Sequence, residues 1–245
     1  MENPSVGYIR SLLFSGGFSI TLILFTPVIL LLNKFNKPYK AYWTMIAWAN
    51  LCIWWLRITC GIKYEIHGQE NLPDEPVIVF SKHQSTWETL FLNRLCNRHQ
   101  SWVLKSELMK VPFFGWSMGA IRPIPIIRGS GRQALKKIVE MGKKHLEEGS
   151  WVMIFPEGTR TAPGEKKPFA IGGAMLAASS KYPVLPVAHN AGSCWPRRGF
   201  VKRSGTIQII IGKPIDTSDM TAKQINQVTE AWMEQTMQTI EAKPN

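Results

Sequence analysis

His83 and Glu88 stand five positions apart in "SKHQSTWETL" (81–90), directly behind the apolar run "PVIVF". An imidazole and a carboxylate so related can work as a general base and its orienting partner. The neutral ring takes a proton from an alcohol, while the carboxylate on the other nitrogen fixes the tautomer and stabilises the imidazolium that forms. On one helix, residues five apart lie about 140° apart around the axis. The pair can therefore meet only if His83 sits in a loop and a helix begins near Ser85. The same stretch reads equally as a helix start: Ser85-Thr86-Trp87-Glu88 fits an S-x-x-E capping box, with Glu88 reaching back to a backbone N–H. Spacing leaves both readings open. His67, His99, His145 and His189 lack a nearby carboxylate in a comparable turn and are expected to be structural or surface residues.

A second cluster, "FPEGTRT" (155–161), places Glu157, Gly158 and Arg160 in one turn behind another apolar run. Glycine permits positive φ or a close backbone approach. Arginine offers a planar fork suited to phosphate. A solvated surface turn is the competing reading for a bare "GTR", and it fits the whole heptapeptide less well.

The elements that must position these residues alternate along the chain. Seven short apolar runs read as strands, "KYEIHG" (63–68), "PVIVFS" (76–81), "SWVLK" (101–105), "RPIPII" (122–127), "SWVMIF" (150–155), "YPVLPVA" (182–188) and "GTIQIIIG" (205–212). "RQALKKIVEMGKKHLEEG" (132–149) carries Leu135, Ile138, Val139 and Leu146 at helical spacing, with Gly149 placed to end it. The segment from Asp219 repeats the pattern with Ile225, Val228, Trp232 and Ile240. The alternation predicts an α/β domain with a mixed, largely buried sheet flanked by helices. The carboxyl ends of strands in such sheets are where ligands bind, and both clusters follow strands.

The first 61 residues differ in kind. "SLLFSGGFSITLILFTPVILLL" (11–32) has no charge over 22 residues, about 33 Å as a helix and enough to cross a bilayer core. "AYWTMIAWANLCIWWL" (41–56) is 16 residues long and would reach only about 24 Å. The connector carries Lys34, Lys37 and Lys40, which two full spans would put across the membrane from the basic domain, against the positive-inside rule. A hairpin that enters one leaflet and returns, with Trp43, Trp48, Trp54 and Trp55 at headgroup depth, removes that conflict. The expected division is a membrane-associated helical hairpin over 1–61 and a catalytic α/β domain over 62–245. The domain is expected on the cytoplasmic face, of the inner membrane if the source is bacterial. A net charge of +12 invites anionic lipids or phosphorylated substrates. Nucleic acid is excluded, because the basic residues form no stripe with exposed aromatics. Cys52, Cys60, Cys96 and Cys194 show no ligand or disulfide spacing and read as reduced thiols.

"HQSTWE" (83–88) and "FPEGTRT" resemble the first and third signature blocks of the glycerolipid acyltransferases, in particular the lysophosphatidic acid acyltransferases. "KSELMKVPFFGWSMGAIRPIPIIRG" (105–129) is similar to the second block and "VLPVAHNAG" (184–192) to the fourth. The four stand in order over about half the chain, and the apolar N-terminal helices resemble the family's membrane hairpin. The resemblance implies transfer of an acyl chain from acyl-CoA or acyl-carrier protein to the sn-2 hydroxyl of lysophosphatidic acid, without metal or bound cofactor. It implies His83 as general base and Glu88 as its partner. Arg160, Lys105 and Arg128 would hold the acceptor phosphate, Glu157 and Gly158 would shape the acceptor site, and Pro186 would lie on the strand lining the acyl-donor side. Two departures stand out: Glu88 replaces the usual aspartate, and Lys82 replaces a common asparagine. The rivals are an acyltransferase for another lysophospholipid and a non-catalytic lipid-binding protein of the same fold.

Overall fold

A computed structural model describes residues 4–96, 98–127 and 129–241. In chain order the elements are α1 (Pro4–Lys34), α2 (Pro38–Cys60), β1 (Ile62–His67), β2 (Ile78–Ser81), α3 (Trp87–Phe91), β3 (Gln100–Lys105), α4 (Phe114–Met118), β4 (Ile124–Ile126), α5 (Arg132–Glu147), β5 (Trp151–Ile154), α6 (Ile171–Ser180), β6 (Val184–His189), α7 (Ala191–Cys194), β7 (Gly205–Ile211) and α8 (Ala222–Glu241). Seven strands among the described residues form one sheet in the order β1-β7-β6-β2-β5-β3-β4. Every neighbouring pair is parallel except β6–β7, so the sheet is mixed.

The central strands are buried on both faces, as their unbroken apolar runs require: all of Ile78–Ser81 and all of Trp151–Ile154 are buried. β1, at one edge, turns Lys63, Glu65 and His67 outward. α5 ends as its sequence predicts, with Gly149 at φ +84° and the Ser150 N–H on the His145 carbonyl. α8 buries Ile225, Thr229, Met233, Met237 and Ile240; Val228, expected on that stripe, faces solvent. α6, rich in glycine and alanine, lies tight against β2 and α5: a Cβ at Gly173 would stand 2.7 Å from the Phe80 ring, and one at Gly172 2.9 Å from Ile138.

α1 and α2 pack against each other through the reversal at Phe35–Lys37. α1 alone among the described helices is long and apolar enough to cross a membrane, and most of its surface is exposed. Its buried residues form a narrow stripe, Gly7, Ser11, Phe14, Thr26 and Ile29. α2 is seven residues longer than its apolar run and protein-buried along Ala41, Met45, Ala49, Cys52 and Leu56, which join the core formed by β2, β5 and β6. Trp48, expected at headgroup depth, is instead buried, with its indole N–H on Thr21 Oγ1 at 3.1 Å. Trp54 stays exposed. The four cysteines are free thiols.

Candidate active site

The parallel strands β2, β5 and β3 all point their carboxyl ends at one end of the sheet, and the candidate residues follow them there. His83 lies in the loop after β2 and is not helical; α3 starts four residues later. Its Nδ1 is 2.9 Å from Glu88 Oε1. The same oxygen accepts the backbone N–H groups of Gln84 at 2.9 Å and Ser85 at 2.8 Å. Ser85 Oγ in turn accepts the Trp87 N–H at 3.1 Å. Glu88 is therefore both the carboxylate of the pair and the acid of the helix-start motif, because one oxygen serves both tasks.

Glu88 is fully buried. Burial pushes its carboxyl up, but nearby His189, the His83 contact and the Ser85 N–H more than reverse this and hold it below the usual carboxylate range. An ionised Glu88 accepts only, so His83 carries its proton on Nδ1. Nε2 makes no hydrogen bond among the described residues and is free to act as a base. Phe155 stacks on the imidazole at 3.9 Å between centroids, 12° from parallel, and fixes the ring plane. His189 is structural: Nδ1 accepts the Ala191 N–H and Nε2 donates to the Lys82 carbonyl at 2.8 Å. Both nitrogens are thus satisfied in the neutral form, and burial lowers its pKa.

The turn after β5 clamps the His83 backbone. Glu157 Oε2 accepts the His83 N–H at 2.9 Å, and the His83 carbonyl accepts the Thr161 N–H at 2.7 Å. Glu157 Oε1 is ion-paired with Lys82 and accepts from Thr161 Oγ1 at 3.3 Å. Burial pushes the Glu157 carboxyl up against the opposing pull of Lys82 and the His83 N–H. Both of its oxygens are committed to the chain, so its placement is that of a residue supporting His83 rather than one facing an acceptor. Gly158 sits at φ +66° with open space where a Cβ would point, so the turn needs its backbone conformation, not its small size.

Arg160 is half-buried on this turn, one residue from the Thr161–His83 bond. Burial lowers its guanidinium, and Glu88 acts in the opposite direction. Among the described residues no carboxylate lies within ion-pair distance of it. Lys105 ends β3, half-buried and likewise without an ion pair among the described residues. Arg128 lies outside the described residues. Pro186 is buried within β6 opposite Phe80 of β2, a part of the sheet interior. Sequence reasoning missed Thr161 and Phe155 as partners of His83, and Lys82 as the partner of Glu157. Phe155 and Thr161 were in view as the ends of "FPEGTRT", but nothing in their type announces a stack or a backbone clamp.

A family model described as Acyltransferase matches residues 63–190. A 1-acyl-sn-glycerol-3-phosphate acyltransferase of Pseudomonas aeruginosa is 43% identical over 208 residues, 83% of this chain and 80% of that protein. One from Saccharomyces cerevisiae is 32% identical over 76% of this chain and 62% of its own length. The solved structure of the 1-acyl-sn-glycerophosphate (LPA) acyltransferase PlsC from Thermotoga maritima superposes with a TM-score of 0.80 over 97% of both chains at 20% identity, so the α/β fold is shared. With the family model covering half the chain and the Pseudomonas match most of it, the chain belongs to the acyltransferase family, alongside the 1-acyl-sn-glycerol-3-phosphate acyltransferases.

Proposed function

We propose that this chain acylates the sn-2 hydroxyl of 1-acyl-glycerol-3-phosphate to give phosphatidic acid, with acyl-CoA or acyl-carrier protein as donor. The observation that carries the reading is His83, held by Glu88 through Nδ1 with Nε2 free among the described residues, beside an Arg160 that has no carboxylate partner among them. In this mechanism Nε2 takes the hydroxyl proton as the oxygen attacks the thioester carbonyl carbon. The tetrahedral oxyanion collapses, the C–S bond breaks, and the imidazolium returns its proton to the leaving thiolate. Arg160, with Lys105 and Arg128, binds the acceptor phosphate. The thioester already activates the acyl group, so the reading calls for no metal or bound cofactor. Attack is direct: Ser85 Oγ is fully buried and engaged at the start of α3.

The membrane placement we propose is monotopic, with the domain on the cytoplasmic face. α1 is docked lengthwise: Ser11 Oγ accepts the Lys202 N–H at 2.8 Å near one end, and Thr26 Oγ1 meets Ser117 Oγ at 2.8 Å near the other. These contacts lie about 22 Å apart along the helix, and an upright crossing would pull both domain segments into the bilayer. Lying in one leaflet, α1 turns Leu13, Ile20, Leu24 and Leu31 outward. The acceptor's acyl chain then never leaves lipid, a saving of about 0.8 kcal/mol per CH₂.

The test is turnover by the purified chain in phospholipid vesicles given acyl-CoA and labelled lysophosphatidic acid, with acyl-carrier protein thioester as a second donor. Formation of phosphatidic acid and free thiol is expected. Accumulation of acyl-enzyme on donor alone contradicts direct attack, and no turnover with either donor contradicts the activity.

A further inference from the structure

Arg197 lies 37 positions beyond Arg160, in "WPRRGFVKR" (195–203), outside every motif read above. We infer that Arg197 is a second guanidinium of the acceptor-phosphate site, brought beside Arg160 by a loop seated on α1. The inference rests on the acceptor being a lysophosphatidic acid, as proposed above.

Arg197 Nη1 donates to the Arg160 carbonyl at 2.7 Å. That fixes the loop against the turn that also clamps His83. The two guanidiniums are close enough for the charge of Arg197 to act on Arg160, adding to the effect of burial on its pKa. Neither has a carboxylate within ion-pair distance among the described residues. Arg197 is exposed, so water weakens its repulsion with Arg160 but leaves its guanidinium open to an anion that Arg160 also contacts. One hydrogen bond leaves most of the five guanidinium N–H donors of Arg197 available.

The loop is not a loose strand of surface chain. Lys202 is buried, with Nζ 5.3 Å from the Phe14 ring of α1 and 5.1 Å from the rings of Trp195 and Phe200. Its backbone N–H reaches Ser11 Oγ on α1, and the Phe200 ring packs tilted against Tyr8, 4.9 Å between centroids. The loop thus runs from the apolar helix to the candidate phosphate site and holds Arg197 between them. A phosphate monoester carries close to two negative charges near neutral pH, as its second pKa is about 6, whereas a phosphodiester carries about one. Two guanidinium forks favour the monoester.

The experiment is steady-state kinetics in vesicles with acyl-CoA, comparing wild type, Arg197→Gln, Arg197→Lys and Arg198→Gln. The acceptors are lysophosphatidic acid and a lysophospholipid whose phosphate is a diester. Arg197→Gln is expected to raise KM for lysophosphatidic acid about 10- to 100-fold, the worth of charge-assisted hydrogen bonds, with kcat little changed. Arg197→Lys recovers part of this, Arg198→Gln behaves as wild type, and preference for the monoester falls. An unchanged KM in Arg197→Gln, a loss confined to kcat, or an equal KM rise in Arg198→Gln overturns the inference while wild-type turnover leaves the proposed activity standing. Absence of wild-type turnover overturns the activity, and the inference with it.

Discussion

Glu88 Oε1 lies 2.9 Å from His83 Nδ1 and, with the same lone pairs, accepts the N–H groups of Gln84 and Ser85. The base is thereby oriented by an atom that is itself locked to the start of α3. The pair can meet because His83 stands in the loop and the Glu88 carboxylate reaches back to it from α3.

This gives Glu88→Gln a pH signature. The native carboxyl is held below its ordinary value of 4.5. A depressed carboxylate contributes stability that is full above 4.5 and is lost as pH falls through the native pKa. The wild type should therefore melt at falling temperatures below pH 4.5, and Glu88→Gln should show a shallower fall. Parallel curves for the two would contradict the assignment. At neutral pH the variant should lose about 10²–10⁴-fold in kcat.

Lys82 and Glu157 form a buried ion pair beneath His83. Breaking such a pair from one side costs about 3–5 kcal/mol, while replacing both partners costs far less. Lys82→Met should lower the melting temperature strongly, and Lys82→Met with Glu157→Gln should recover most of it. Acidification should also help Lys82→Met, because the isolated Glu157 carboxyl, already pushed up by burial, protonates more readily. Additive losses in the double variant would contradict the pairing.

Two glycines separate conformation from space. At Gly158, with φ +66° and an open Cβ direction, alanine should cost about 1–2 kcal/mol and asparagine less, since asparagine tolerates the left-handed region. At Gly173 the obstacle is the Phe80 ring, so alanine should cost about 1–3 kcal/mol and asparagine more. Melting of the four variants checks the reversal in order.

Much of this was legible in the sequence. The central runs were readable because strands buried on both faces leave little room for polar residues, and β1 because its apolar residues alternate with outward polar ones. α6 was not, since its packing depends on glycines that let it approach Phe80 and Ile138, and glycine in a sequence signals a break. The length and burial of α2 were hidden for a related reason: apolar composition is the same whether a helix faces lipid or the back of a sheet. The motifs located His83, Glu88, Glu157 and Arg160, but not the commitment of both Glu157 oxygens to Lys82, Thr161 and the His83 backbone. That bond set depends on two strands, β2 and β5, being neighbours in space.

The outward residues of α1 supply a test of the membrane reading. Leu13, Leu24 and Leu31 are more than half exposed. Changing all three to serine should leave the fold unchanged and weaken sedimentation with anionic vesicles by orders of magnitude, at about 1.5–3 kcal/mol per side chain. Unaltered sedimentation would contradict an in-plane α1.

The central claim is that His83 is the base and Glu88 its partner. The direct measurement is acyl transfer from acyl-CoA to labelled lysophosphatidic acid by wild type, His83→Ala and Glu88→Ala in the same vesicles, with folding verified by melting. The account predicts phosphatidic acid from the wild type and loss by at least about 10²-fold in each variant. Transfer by folded His83→Ala at the wild-type rate would contradict it.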